Sequence, residues 1–172
     1  YVVDAAIRAV SAQLDRMNEK GTVHSSLPFL TIYKVDYPLE NKPLITMLVS
    51  CDSIKALDSF KSKVLCKSNY KNIEFIKMDS WNQIVDVNGE YVMVVSDQLE
   101  ILNEHWIEEM MMQATRKSVF AVSPKIYNKD FTVNYAGVCL DKDAENYLYS
   151  LCAHDSNMDI GYEGMLCHVR NV

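Results

Sequence analysis

The sequence predicts an α/β fold: a mostly parallel sheet flanked by helices, preceded by a helical appendage. Three observations predict it. Short apolar runs at residues 44–49, 73–78 and 91–95 have the length and β-branched content of strands buried on both faces. Each ends in a polar cluster: Ser50-Cys51-Asp52-Ser53, Asp79-Ser80 and Ser96-Asp97-Gln98. Apolar residues spaced by threes and fours follow the first and third runs, so strands alternate with amphipathic helices, the pattern of a parallel sheet. Open parallel sheets bind ligands outside the C-terminal ends of their strands, where Ser50, Asp52, Asp79 and Asp97 would all lie.

The elements follow in order. Val3, Ile7, Val10, Leu14 and Met17 form one stripe with Gly21 just beyond, predicting a helix over residues 2–17 that ends at the glycine. Residues 23–43 carry three of the four prolines and read as an extended linker pinned by its aromatic side chains. Behind the first strand, Ile54, Leu57, Phe60, Val64 and Leu65 mark a helix for which Asp52 is the expected cap. Residues 80–88 are too few for another helix and strand. The run opened by Gly89 reads as the fully buried central strand, followed by a helix carrying Trp106, Ile107, Met110, Met111 and Ala114 behind the cap-type Asn103. Residues 118–122 read as one more buried strand. A hairpin is expected around Asn128-Lys129-Asp130, a strand over 135–140, and a long loop over 141–164.

Composition bounds the function. The 172 residues, 49% hydrophobic, suffice for one domain with a core plus a short appendage, here 44–172 behind segments 1–22 and 23–43. Seventeen basic against twenty-three acidic residues, a formal charge of −6, argue against sequence-independent nucleic-acid binding. Five cysteines without a C-x-x-C pair, and four scattered histidines, fit neither a disulfide framework nor a zinc site and suit a reducing cytoplasm. No apolar run reaches the length of a membrane span, and both termini read as cut points in a longer protein.

Several segments, taken together, resemble glycosyltransferase family 2. Residues 43–52, Pro-Leu-Ile-Thr-Met-Leu-Val-Ser-Cys-Asp, resemble its opening strand, and Asn69-Tyr70-Lys71-Asn72-Ile73-Glu74-Phe75-Ile76 its second. The run from Gly89 to Glu100 followed by Trp106 resembles the strand with the acidic metal motif and its tryptophan-led helix. Ser123-Pro124-Lys125-Ile126-Tyr127 and Asn134-Tyr135-Ala136-Gly137-Val138 resemble later segments of the bacterial polysaccharide members. The leading helix and linker resemble the segment that introduces a second transferase domain in tandem-domain members.

The resemblance implies a GT-A (Rossmann-like) fold, a nucleotide-diphosphate-sugar donor such as a UDP-sugar, a glycan acceptor and inverting transfer. The setting it implies is bacterial cell-surface polysaccharide synthesis by neighbouring domains of a longer chain, in the cytoplasm or at the inner face of the membrane. By position it implies nucleotide contacts at Ser50, Asp52 and Asp79 and a divalent cation, Mn²⁺ or Mg²⁺, at Asp97. The departures are specific. Gln98 stands where the family keeps its best-preserved aspartate, and a neutral amide is a poor ligand for a hard cation. Val49 and Ser50 replace Pro and Thr, Tyr135 replaces a histidine, and the stretch before Gly89 is short. No residue maps to the catalytic base. The reading is therefore a partial transferase domain not competent as this chain alone, with a non-catalytic structural or docking module as the alternative. Trp106 and the Met110-Met111-Met112 run read as core, Cys51 as a small buried hydrophobe, and Glu100 as a solvent-facing or loop-capping residue.

Overall fold

The structure, a computed structural model, describes residues 2–25, 32–140, 148–150 and 153–156. The chain divides into two compact units: Leu39–Met112, and Tyr1–Pro38 with Gln113–Val172. Both combine helix and strand, making the protein mixed α/β. Among the described residues no helix is long and apolar enough to cross a membrane.

The Leu39–Met112 unit holds three parallel strands, β3 (Ile45–Ser50), β4 (Ile73–Lys77) and β5 (Tyr91–Ser96), in the order β4-β3-β5. Ile45 lies opposite both Ile73 and Tyr91, and Val49 opposite Lys77 and Val95, so the three C-terminal ends are level. The central, fully buried strand is β3, not β5 as the sequence suggests; β5 alternates half-buried and exposed residues, with Val92 and Val94 38% and 41% exposed. β5 is no less apolar than β3. Burial differs because one face of β5 is open: Val92, Val94 and Ser96 are exposed in alternation with half-buried Tyr91, Met93 and Val95.

Between β3 and β4 runs α2 (Ile54–Lys67), burying Leu57, Phe60 and Val64. It lies against β4, with the Lys61 ammonium 5.9 Å from the centre of the Phe75 ring. Ser53, not Asp52, caps it: the Ser53 backbone is extended and its Oγ accepts from the Ala56 N–H at 3.1 Å. Tyr70 is buried at the entry to β4 and its hydroxyl donates to the Pro43 carbonyl, tying the starts of two strands together. Burial, with help from the negative charge of Glu108, pushes that phenol up to about 12, so it remains a donor at neutral pH. Gly89 precedes β5 for a steric reason. A Cβ there would lie 2.4 Å from the Thr46 backbone nitrogen and 2.7 Å from its hydroxyl, which accepts the Gly89 N–H at 2.9 Å. In α3 (Trp106–Ala114) Ile107 and Met111 are buried, as the stripe predicts, and the Trp106 Nε1–H donates to Ser68 Oγ, only 2% exposed, at 2.6 Å. Glu100 is exposed and paired with Lys63 and Lys67.

In the other unit, α1 (Val2–Arg16) buries Leu14 and part-buries Val3, Ile7 and Val10. It stops at Asn18, before the expected glycine, leaving Met17 exposed. Asn18 takes φ 55°, its N–H reaches Asp15 O at 3.0 Å and the Glu19 N–H reaches Leu14 O at 3.0 Å, the paired bonds of a Schellman stop. Gly21 instead allows close packing: a Cβ would meet Val35 Cγ1 at 2.8 Å and Leu14 Cδ1 at 3.2 Å. Within the stretch read as a linker, β1 (Thr22–Ser25) and β2 (Tyr33–Asp36) pair antiparallel, Thr22 opposite Asp36; residues 26–31 lie outside the described residues. Arg116 lies 4.3 Å from the centre of the Tyr37 ring and pairs with Glu19 at 3.2 Å.

Residues 118–122 form no strand, and Phe120 is fully exposed. Their residue types meet the strand propensity, but propensity alone makes no strand, and none of these residues joins a ladder. The expected hairpin is present as β6 (Ile126–Tyr127) and β7 (Val133–Tyr135), its turn closed by Asn128 N–H to Thr132 O at 2.8 Å with Phe131 at φ 61°. β8 (Val138–Leu140) pairs antiparallel with β9 (Leu148–Ser150), a strand inside the expected loop, and the His154 N–H returns to Val133 O at 2.7 Å. The rest of that loop lies outside the described residues.

Candidate functional site

Level strand ends bring three polar clusters to one edge of the parallel sheet. Met78 N–H donates to Val49 O at 2.9 Å and Asp97 N–H to Ser50 O at 3.2 Å, so the ladder continues one residue beyond β4 and β5 before the backbone turns away. An open cleft of about 430 Å³ lies at this edge. Ser50 from β3, Asp79, Ser80 and Trp81 following β4, and Val94 and Ser96 from β5 line it. Its size is within the range of small-molecule sites.

Of the four residues singled out in the sequence, Ser50 and Asp79 open onto this cleft, whereas Asp52 and Asp97 stand at the same edge but do not line it. Asp79 is exposed and its carboxylate is ion-paired with Lys77. That bond is the largest cause of a raised Lys77 pKa, with desolvation opposing it and the negative charges of Asp79 and Asp52 adding to it. Lys77 thus holds the Asp79 carboxylate at the end of β4, a role with no mark in the sequence. Asp97 accepts from the Gln98 amide at 3.1 Å, and Ser96 Oγ accepts the Gln98 N–H at 3.2 Å, so the segment closes on itself as a turn.

The short link between β4 and β5 supplies the residues that sequence reasoning missed. It forms a 3₁₀ turn, Trp81–Val85, held by a capping box. Gln83 Oε1 accepts from the Ser80 N–H at 2.9 Å and the Asp79 N–H at 2.6 Å, while its Nε2 donates to Lys77 O at 3.3 Å. The signal was present as Ser80-x-x-Gln83, the S-x-x-Q form of the box.

The donor set at Asp97 does not fit a metal ion held by protein alone. Among the described residues no three His, Cys, Asp or Glu side chains converge, and one Asp97 oxygen is already bound by the neutral Gln98. Cys51 and Cys66 are free thiols, Cys51 half-buried beside the site and Cys66 exposed. What the edge offers is hydroxyls, one carboxylate with its lysine, an open indole and an apolar wall.

No family model matches the chain, and no solved structure matches it. Among curated proteins it is similar to the uncharacterized protein y4gI of Sinorhizobium fredii, 24% identical over 179 residues, covering 81% of this chain and 20% of that protein. It is also similar to the O-antigen biosynthesis protein RfbC of Myxococcus xanthus, 24% identical over 169 residues, covering 78% and 13%. The chain thus spans a fifth or less of the relatives it matches, and it has weak homology to a protein of O-antigen biosynthesis.

Proposed function

We propose that this chain is the nucleotide-binding part of a family-2-like, GT-A-type glycosyltransferase domain, taking a nucleoside-diphosphate sugar for cell-surface polysaccharide synthesis. The observation that carries the reading is the opening of Ser50 and Asp79, from adjacent parallel strands, onto one cleft of about 430 Å³ at the C-terminal edge of the sheet. The segment resemblance and the RfbC likeness support it from the sequence side. In the transfer reaction an acceptor hydroxyl attacks the anomeric carbon opposite the nucleotide, the carbon–oxygen bond to the diphosphate breaks, and configuration inverts. In this reading Asp79 accepts a hydrogen bond from the base and Ser50 and Ser96 contact the ribose or phosphates. The base that takes the acceptor's proton is a role for the rest of a longer protein, and no step here relies on a protein-held cation.

A second reading, a non-catalytic module that docks or orients neighbouring domains, is favoured by one observation: the only acid of the Ser96-Asp97-Gln98 turn is engaged by the neighbouring amide. Calorimetric titration with UDP, with and without Mn²⁺, separates the two. Expected are saturable UDP binding, affinity changed less than about threefold by Mn²⁺, and a loss of roughly tenfold or more in Asp79→Ala, the scale of one hydrogen bond to a charged group. A folded protein giving no heat at millimolar UDP overturns the nucleotide-site reading and leaves the docking module.

A further inference from the structure

We propose that Trp81 is the stacking platform for the base of the bound nucleotide, so that the cleft reads a pyrimidine by its edge at Asp79 and its face at Trp81. This inference rests on the nucleotide reading above. Its starting observation is a largely open indole: Trp81 is 68% exposed although it lines the cleft, whereas Trp106 is part-buried and bonded to the buried Ser68. An aromatic side chain left open in a cleft presents a flat apolar surface for a ligand to cover.

The backbone that carries the indole is held by residues other than Trp81. Ser80 Oγ accepts the Asn82 N–H at 3.3 Å, and Gln83 binds the two N–H groups ahead of Trp81 and the Lys77 carbonyl behind them. The 3₁₀ turn is thereby fixed to the end of β4, two residues past the Asp79 carboxylate, and Lys77 restrains that carboxylate in turn. Met78 and Val94 add apolar surface to the same cleft. A carboxylate accepts from the imide N–H that uracil carries in its ring plane, and the plane above and below needs apolar cover. Stacking on an aromatic residue contributes about fivefold to a hundredfold in affinity by alanine substitution. The capping bonds use no atom of the indole, so the turn is expected to survive its replacement.

The test is UDP titration of the wild type, Trp81→Ala and Trp81→Phe by calorimetry, with fluorescence of a Trp106→Phe chain in which Trp81 is the reporter. Expected are at least about a fivefold loss of UDP affinity in Trp81→Ala, affinity within about threefold of wild type in Trp81→Phe, and saturable quenching of Trp81 by UDP but not by pyrophosphate. Wild-type affinity in Trp81→Ala overturns the stacking role while leaving the nucleotide site standing. Equal losses in Trp81→Ala and Trp81→Phe, or the same quenching by pyrophosphate, also overturn it. Absence of UDP binding by the wild type overturns both readings together.

Discussion

Replacing Gly89 by alanine tests how the edge strand is seated. The added Cβ would lie 2.4 Å from the Thr46 backbone nitrogen, 2.7 Å from Thr46 Oγ1 and 2.8 Å from Tyr91 O. Two of these three atoms are backbone, one in the central strand, and neither can rotate away. Relief requires β5 to move off β3, stretching the Gly89 N–H to Thr46 Oγ1 bond and the adjoining Tyr91 N–H to Leu44 O bond. Overpacking a close contact costs about 1–3 kcal/mol, and a lost hydrogen bond adds about 1 kcal/mol. The expected total is about 2–4 kcal/mol, a large share of the roughly 5–15 kcal/mol that stabilises a domain. In urea unfolding followed by far-UV circular dichroism, with a slope of about 2 kcal/mol per molar, the midpoint should fall by about 1–2 M. A shift below about 0.3 M would refute the reasoning, because it would mean that the loop into β5 gives way freely and Gly89 serves only as a turn residue.

Phe131 holds φ 61° with its ring more than half exposed, so Phe131→Asn should raise stability by about 0.5–1 kcal/mol, read as a higher melting temperature; a fall would show that the ring packs for more than its strain. Glu74 accepts from the Asn88 amide at 2.8 Å and the Thr46 hydroxyl at 2.8 Å, and these bonds, Asn88's first, lower its pKa from 4.5. A carboxylate depressed in the folded state contributes stability present above its unfolded pKa and lost as pH falls through the folded value. The stability difference between wild type and Glu74→Gln should therefore be constant at neutral pH and shrink on acidification below about pH 4.5, and a pH-independent difference would remove Glu74 from the ladder's support.

Much of the fold is legible in local sequence because local physics decides it. The stripes over Leu14, Leu57, Phe60, Val64, Ile107 and Met111 predict three helices whose buried faces are those residues. The three apolar runs are strands, and their polar ends are the strand ends. Boundaries are less legible where neighbouring residues compete for one role. Asp52 and Ser53 are both good caps, and the backbone angle that selects Ser53 belongs to the turn leaving β3. Asn18 and Gly21 both tolerate a helix stop, and the chain uses the first it meets and keeps the second for close packing.

The sequence by itself determined the chemistry at the sheet edge, since hydroxyls and carboxylates must end runs that are otherwise apolar. Only the tertiary structure decided which strand is central and which end groups share a cleft. The runs of β3 and β5 are both largely apolar, and burial depends on whether a face is covered, a property of neighbours and not of residues. The run at 118–122 has the propensity of a strand and no ladder. Register brings Ser50 and Ser96 side by side, and the Ser80–Gln83 capping box turns the link after β4 so that Asp79 and Trp81 join them. Asp52 and Asp97 carry the same functional group only a few residues along the chain, yet the turns that follow β3 and β5 leave them off the cleft wall. Side-chain chemistry is written residue by residue; convergence is set by register and turn geometry, which depend on residues far apart in the chain.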